Sequence, residues 1–209
     1  MGGHQEPLLD PVRRLYEESL QAHGTTSRAV GWNDEASQRL RFEKLAAVIA
    51  SGESALRVND LGCGYGAMFD FLAARFGDRL AAYHGIDISG EMVAAARARV
   101  RDARASFAAS DTLHDDADYT FASGTFNVRM DASEEQWTAH VEASVLAMAA
   151  KSRKGLAFNL LSTYVDWRAE RLYYADPCHF FDFCRRRVSR FVTLLHDYPL
   201  YEWTILVRT

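Results

Sequence analysis

Apolar residues along the chain gather in short runs separated by polar segments, a pattern that predicts buried strands. Five such runs precede residue 162, and we expect strands at 57–61, 83–88, 105–109, 119–128 and 156–161. Two later runs, 190–196 and 201–207, are joined by Asp197-Tyr198-Pro199-Leu200, and apolar and polar side chains alternate along the second run. Because no helical segment lies between these two runs, they are predicted to form an antiparallel pair.

Apolar residues spaced three or four positions apart predict helices between the strands. Several helix starts carry a local signal: Asn33 and Ser89 as N-caps, the capping box Ser133-Glu134-Glu135-Gln136, and Asp176 as a cap before Pro177. Helices are therefore predicted over 11–22, 33–50 and 66–76, and after Ser89, Ser133 and Asp176.

This alternation of strands and helices predicts an α/β fold, a doubly wound and mostly parallel sheet with helices on both faces. No domain boundary is visible after Asn33, so residues 33–209 are expected to form one domain. Residues 1–32 precede the alternation and are predicted to be a helical appendage.

The composition narrows the class of protein. The chain has 209 residues, 48% of them hydrophobic, which suits one compact domain. A formal net charge of −4 without a long basic run disfavours nucleic-acid and membrane partners. Three cysteines without a Cys-x-x-Cys spacing disfavour disulfides and structural zinc, and no apolar run reaches the length of a membrane span. We therefore expect a soluble cytoplasmic protein without a bound metal, either a monomer or a homodimer.

The stretch 58–68, VNDLGCGYGAM, contains three glycines at alternate positions between a predicted strand and a predicted helix. Closely spaced glycines let a ligand lie against the main chain, at the carboxyl ends of the strands. Asp87 follows at the end of the next strand, about twenty residues on, where an acid can bind ribose hydroxyls. Gly62-x-Gly64-x-x-Ala67 also satisfies the dinucleotide fingerprint, so the glycines leave a dinucleotide and another nucleoside cofactor open.

The residues around the glycines carry a resemblance. Asp60-Leu61-Gly62-Cys63-Gly64-Tyr65-Gly66 resembles motif I of the class I S-adenosylmethionine-dependent methyltransferases, which have an acidic residue just before the first glycine. The segments GIDIS at 85–89, AASDTL at 108–113 and ASGTFN at 122–127 resemble the family's next three motifs. The resemblance covers roughly residues 57–209. It implies a seven-stranded sheet in the order 3-2-1-4-5-7-6, with the last hairpin antiparallel, and S-adenosylmethionine as cofactor.

The resemblance also implies a role for each matching residue. Asp60 would face the ammonium group of the cofactor, Asp87 the ribose diol, and Asp111 the adenine amino group. The other cofactor-binding residues that it implies are Gly62, Cys63, Gly64, Gly66, Ile88, Met92, Ser110, Thr112 and Ser123. A dehydrogenase is disfavoured because none of the three lysines completes a Tyr-x-x-x-Lys pair.

Catalytic residues are harder to identify, because a methyltransferase needs a base only for some acceptors. Our candidates, on loops after the fourth and fifth strands and near the following helix, are Asn127, Tyr164 and His179, and His179 is also compatible with a surface histidine in the first helical turn. The Asn/Asp-Pro-Pro-Tyr/Phe motif of many amine- and amide-directed relatives is replaced by residues 123–127. That departure argues against an adenine-base or glutamine acceptor and favours a small molecule.

The segment 23–34, HGTTSRAVGWND, places glycines, hydroxyls and Trp32 between two predicted helices. The resemblance implies a lid over the cofactor, with Tyr16, His23 and Trp32 as candidates, and a static helical cap is the alternative. The function predicted overall is methyl transfer to an oxygen or nitrogen of a small molecule. Two alternatives stay open: another reaction of S-adenosylmethionine that releases methylthioadenosine, and a non-catalytic module that only binds this cofactor.

Overall fold

A computed structural model describes residues 8–32 and 34–209 of the chain. The helices are α1 (Asp10–His23), α2 (Glu35–Ala46), α3 (Ala67–Phe76), α4 (Gly90–Arg99), α5 (Glu134–Ala150) and α6 (Pro177–Arg187), with 3-10 turns at Ser27–Val30 and Gly77–Arg79. The strands are β1 (Leu56–Leu61), β2 (Leu80–Asp87), β3 (Ala105–Ala109), β4 (Ala117–Ala122), β5 (Ser152–Ser162), β6 (Tyr174–Ala175), β7 (Phe191–Leu195) and β8 (Glu202–Arg208).

The strands form one mixed sheet in the order β3-β2-β1-β4-β5-β8-β7. Strands β1 to β5 run parallel, whereas β8 is antiparallel to both β5 and β7. This confirms the predicted α/β fold and its strand order, since the seven long strands occupy the expected places. No sequence pattern predicts β6, a two-residue strand that pairs with the end of β5.

Two buried apolar clusters cover the two faces of the sheet. One contains side chains of α5 and α6, and the other contains side chains of α2 and α3. Neighbouring strand residues divide between them: Phe158 and Ile205 belong to the first cluster, and Ala157 and Leu206 to the second. The alternation follows from the two-residue period of a strand, and it places helices on both faces.

Most helix starts have the predicted caps. Ser89 accepts a hydrogen bond from Met92 N–H, Asp176 accepts one from Cys178 N–H, and Ser133 and Gln136 form both bonds of the capping box. Asn33 lies outside the described residues. The N-cap of α2 is Asp34, whose side chain accepts from Ser37 N–H at 2.6 Å.

The prediction for the fourth strand was too long. β4 ends at Ala122, because Gly124 adopts a φ of +68° that turns the chain out of the sheet. Phe126 and Val128 are nevertheless buried, as their apolar character suggested. They pack beneath the loop that follows β4 instead of continuing a strand.

Helix α1 lies over the carboxyl ends of the strands. Glu17 accepts a hydrogen bond from Ser89 Oγ at 3.2 Å, and Gln21 donates to Glu91 at 3.1 Å. Val12 on the inner face is only 3% exposed. Among the described residues, no helix combines the length and the apolar character required to cross a membrane.

Candidate functional site

The glycine loop connects β1 to α3 and is held by the end of β2. Gly62 and Cys63 donate their N–H groups to Ile86 O at 2.7 and 3.0 Å, and Gly64 N–H donates to Asp87 Oδ2 at 2.8 Å. Gly62, Gly64 and Gly66 have φ values of +73°, +53° and +81°, which other residues rarely adopt. The loop therefore presents its backbone beside Asp87.

Two of the three glycines are also required by protein contacts. A Cβ on Gly62 would lie 2.5 Å from Thr125 Cγ2, and a Cβ on Gly66 would lie 3.0 Å from the Phe107 ring. At Gly64 the nearest atom is Val30 Cγ1 at 3.0 Å, from the segment between α1 and α2. The loop is thus packed between the sheet and that segment.

Asp60, at the end of β1, is buried with 2% exposure. Its Oδ2 accepts a hydrogen bond from Tyr83 O–H at 2.5 Å, whereas its Oδ1 is buried without a hydrogen-bond partner in the part of the chain that the structure describes. Burial raises the pKa of Asp60 to about 7, with a further increase from Asp87, while the Tyr83 hydrogen bond acts in the opposite direction. An unpaired buried carboxylate oxygen is costly, so this atom is suited to a cationic ligand group.

Asp87, at the end of β2, is held by backbone donors. Its Oδ2 accepts from Gly64 N–H and its Oδ1 from Ser89 N–H at 2.9 Å. Burial raises the pKa of Asp87, and these two backbone hydrogen bonds oppose the rise. Each carboxylate oxygen keeps a second lone pair, so the side chain can still accept from ligand hydroxyls.

A space of about 780 Å³, counted together with its opening to solvent, lies above these strand ends and beneath α1, and we call it the large cavity. It brings together most of the predicted cofactor residues: Gly62, Gly64, Asp87, Ile88, Met92, Ser110, Asp111, Ser123 and Trp32. Thr112 lies behind it and donates its hydroxyl to Asp111 Oδ1 at 2.8 Å. Thr112 therefore orients Asp111.

No motif of the sequence predicts His140 of α5, which lines the large cavity with Ser144. The ring of His140 lies 5.1 Å from the Trp137 ring and 6.1 Å from the Phe126 ring, measured between centroids. Burial lowers the pKa of His140, and the charge of Asp111 counteracts this effect. The position was missed because the residues of one cavity come from distant parts of the chain, and His140 belongs to no motif.

A second space of about 310 Å³, the small cavity, lies on the other side of the glycine loop, beside α2. Asp60 and Cys63 line it, with Gln38, Tyr65 and Met68 among the other side chains. Burial raises the pKa of the Cys63 thiol well above its ordinary value, so this cysteine is a neutral wall residue. Gly66 lines neither cavity and is the N-cap residue of α3.

Four residues line both cavities: Val30, Trp32, Gly62 and Ser123. The Ser123 hydroxyl is buried without a hydrogen-bond partner among residues 8–32 and 34–209. Nearby, Asn127 Oδ1 accepts from Leu161 N–H at 3.2 Å. Asn127 Nδ2 has no hydrogen-bond partner within the same residues, and it lies 3.5 Å from the position that a Cβ added to Gly124 would occupy. Asn127 thus stands close to the junction of the cavities.

The other two catalytic candidates lie elsewhere. His179 is on the surface of α6, where its Nε2 is 2.8 Å from Glu142 Oε1. Tyr164 is 68% exposed, with its ring 5.8 Å from the His196 ring between centroids. Neither side chain lines a cavity, so the structure does not bring them together with the cofactor candidates.

Of the three candidates in the predicted lid, two line a cavity and one does not. Tyr16 lines the large cavity, and burial raises its pKa to about 12, with a further contribution from Asp87. Trp32 stands at the junction of the two cavities. His23 is an exposed residue at the end of α1, so it does not share the position of the other two.

Comparisons with known proteins agree with this arrangement. Residues 58–155 match the family described as "Methyltransferase domain". A Mycobacterium tuberculosis protein named "Putative methyltransferase Rv1506c" is 50% identical over 163 residues, which are 77% of this chain and 97% of that protein.

Two solved structures share the fold at low sequence identity. The magnesium protoporphyrin IX methyltransferase ChlM of Synechocystis PCC 6803, with bound S-adenosylhomocysteine (SAH), has a TM-score of 0.67 and 15% identity. That match covers 95% of this chain and 97% of ChlM. The mitomycin 7-O-methyltransferase MmcR has a TM-score of 0.63 and 14% identity, over 93% of this chain and 59% of MmcR. The chain belongs to the class I S-adenosylmethionine-dependent methyltransferases.

Proposed function

We propose that this methyltransferase binds S-adenosylmethionine across the two cavities and transfers its methyl group to an oxygen or nitrogen atom of a small molecule. One observation supports this position of the cofactor. Asp60, Asp87 and Asp111 follow three adjacent strands and line the cavities on both sides of the glycine loop. Their order suits an ammonium group, a ribose and an adenine amino group, in that sequence.

The residues present fit this cofactor. The unpartnered Asp60 Oδ1 in the small cavity supplies a buried acceptor for the ammonium group. Asp87, already oriented by two backbone N–H groups, supplies acceptors for the ribose hydroxyls. Ile88 and Met92 supply apolar contacts for a flat base in the large cavity, with Asp111 at its edge.

The bound cofactor supplies a methyl group on a sulfonium, which is reactive toward nucleophiles. The contribution of the protein is alignment and exclusion of water. Ser123 and Trp32 would lie beside the reactive centre, because they line the junction of the two cavities. Asn127 Nδ2 is buried beside Gly124 and Asn127 lines neither cavity, so we assign Asn127 a role in holding the loop after β4, through the hydrogen bond that its Oδ1 accepts from Leu161 N–H.

A small acceptor is supported by the covering of part of the site. Helix α1 lines one side of the large cavity, and Val30 and Trp32 line both cavities, which narrows the access of a polymer to the strand ends. The names of ChlM and MmcR refer to porphyrin and mitomycin substrates, so this fold accommodates small-molecule acceptors in other proteins. We propose the same class of acceptor here.

The test begins with the cofactor. The purified protein is incubated with methyl-labelled S-adenosylmethionine and a panel of small hydroxyl and amine compounds, and the nucleoside products are separated by chromatography. We expect SAH in amounts equal to the label transferred. Release of methylthioadenosine would instead show a different reaction of the cofactor. Tight binding with no turnover on any acceptor would indicate a non-catalytic module.

A further inference from the structure

A closed ring of contacts passes through Trp32 at the junction of the two cavities and through Gly124 of the large cavity. It begins at Trp32, whose ring centroid lies 3.7 Å from Arg41 Cζ, so the guanidinium stacks on the indole. The indole also lies against Gly124, where a Cβ would be 2.3 Å from Trp32 Cζ2. Trp32 thus fits between an arginine of α2 and a backbone position that only glycine leaves free.

The remaining contacts of the ring are polar and buried. Arg41 Nε lies 2.7 Å from Glu202 Oε1, and the two side chains are 9% and 0% exposed. Glu202 Oε2 accepts from Asn159 Nδ2 at 2.9 Å. Asn159 Oδ1 accepts from Gly124 N–H at 2.8 Å, which closes the ring back to Trp32.

A buried ion pair is a poor source of stability, because desolvation offsets most of the attraction. Burial raises the pKa of Glu202, and Arg41 and Asn159 counteract it by stabilising the carboxylate. The pair needs another reason to occupy this position. Its two ends supply one: Arg41 contacts Trp32, and Glu202 holds Gly124 through Asn159, so together they fix the two surfaces between which the indole lies.

We propose that Arg41 is a positioning residue of this methyltransferase, which holds Trp32 against Gly124 over the reactive centre of the bound cofactor. The Glu202–Asn159 arm restrains Gly124 N–H and thereby fixes the backbone surface against which Trp32 packs. This inference rests on the proposed placement of the cofactor across the junction. It assigns a role to a residue that lines neither cavity and acts through another side chain.

The chain offers a matched pair of substitutions on α2. Arg41→Lys keeps a positive charge near Glu202 but removes the planar group that stacks on Trp32. Arg39→Lys is the control, because Arg39 is exposed, pairs with Glu43 and lies 5.7 Å from the Phe71 ring. Calorimetric titration with SAH, corrected for the folded fraction from thermal melts, reports on the cofactor site without an acceptor.

Arg41→Lys should weaken SAH binding at least tenfold per folded molecule, and Arg39→Lys should stay within twofold of the wild type. Trp32→Ala should weaken binding as well, and Arg41→Lys should then add little to it, because Arg41 acts through Trp32. A purely structural role would lower the melting temperature and leave affinity per folded molecule unchanged.

A second variant covers the case in which Arg41→Lys does not fold. Gly124→Ala places a carbon 2.3 Å from Trp32 Cζ2, so the indole must move, while the side chains of the ion pair are unchanged. The φ of +68° adds backbone strain, which the thermal melt registers separately from the affinity per folded molecule. It should also weaken SAH binding, and Trp32→Ala should add little in that background. Wild-type affinity in folded Arg41→Lys or folded Gly124→Ala, or full additivity with Trp32→Ala, would overturn the inference. A wild-type protein that fails to bind SAH would instead refute the proposed cofactor placement.

Discussion

The raised pKa of Asp60 predicts that the affinity for S-adenosylmethionine depends on pH near neutrality. The ammonium group of the cofactor requires an ionised Asp60, whose pKa is about 7 in the free protein. Below that value the carboxyl is mostly protonated, so affinity is lost as the pH falls through 7. Above about 7.7–8.0 the amino group of the cofactor itself loses its proton. Affinity should therefore follow a bell-shaped profile.

The size of the effect follows from the two ionised fractions. With a pKa of about 7 for Asp60 and about 7.8 for the amino group, the competent fraction is about one half at pH 7.4. It is roughly a tenth at pH 6.0 and about 3% at pH 5.5. Affinity should thus fall about sixfold between pH 7.4 and 6.0 and roughly 17-fold by pH 5.5. Calorimetric titration in buffers of equal ionic strength measures these ratios.

Two variants separate Asp60 from other titrating groups. Asp60→Asn should bind more weakly at pH 7.4, by roughly 10- to 150-fold for a charge-assisted hydrogen bond of about 1.5–3 kcal/mol, and should lose the acidic limb. Tyr83→Phe removes the hydrogen bond that stabilises the carboxylate, so its acidic limb should move to higher pH. An acidic limb that persists in Asp60→Asn would refute the reasoning and direct attention to Asp87, whose pKa burial also raises.

Three further predictions concern the same site. Asp87→Ala removes the acceptor for two ribose hydroxyls and should weaken cofactor binding on the order of a hundredfold with the fold intact, as calorimetry and melts can show. Gly64→Val should abolish binding per folded molecule, because Gly64 lines the large cavity and a branched side chain there would occupy the space of the ligand, and its φ of +53° should also lower the stability. Cys63→Ala, which only shortens a wall side chain of the small cavity, should change the affinity little. Deletion of residues 1–32 should leave a folded domain with little turnover, and limited proteolysis should show cofactor-dependent protection of this segment in the intact protein. Equal cleavage with and without cofactor would argue for a static cap.

The sequence predicted local structure correctly wherever a few neighbouring residues carry a strong signal. The capping box at Ser133, the cap and proline at Asp176 and the glycine loop each depend on a few neighbouring residues, and the structure has them at the predicted positions. The predicted fourth strand continues to Val128 because apolar residues continue past Ala122. In the structure β4 ends at Ala122, and the turn at Gly124 that ends it depends on contacts outside the segment.

The site was predictable only where it coincides with motifs. Asp60, Asp87 and Asp111 follow strands, so the topology alone brings them to one edge. No motif and no strand end marks His140 or Arg41. The position of each side chain at the site depends on the angle at which its helix packs against the rest of the protein. Glu202 and Thr204 alternate with apolar residues along β8, yet both are fully buried because this face of the strand is covered by protein. The same alternation of apolar and polar residues can therefore occur in a strand with one exposed face and in a strand that is buried on both faces.

The position of β8 has a consequence for how the protein folds. β7 precedes β8 in the chain and pairs with β8 among the described strands, so β7 becomes part of the sheet only when β8 has paired with β5. Until then, β5 presents an open edge flanked by apolar residues on both faces, a surface prone to intermolecular pairing. Non-local pairing of this kind is slow. We therefore expect the yield of refolded protein to fall steeply with protein concentration, and substitutions that slow β8 docking to increase aggregation before they change the stability of the folded protein.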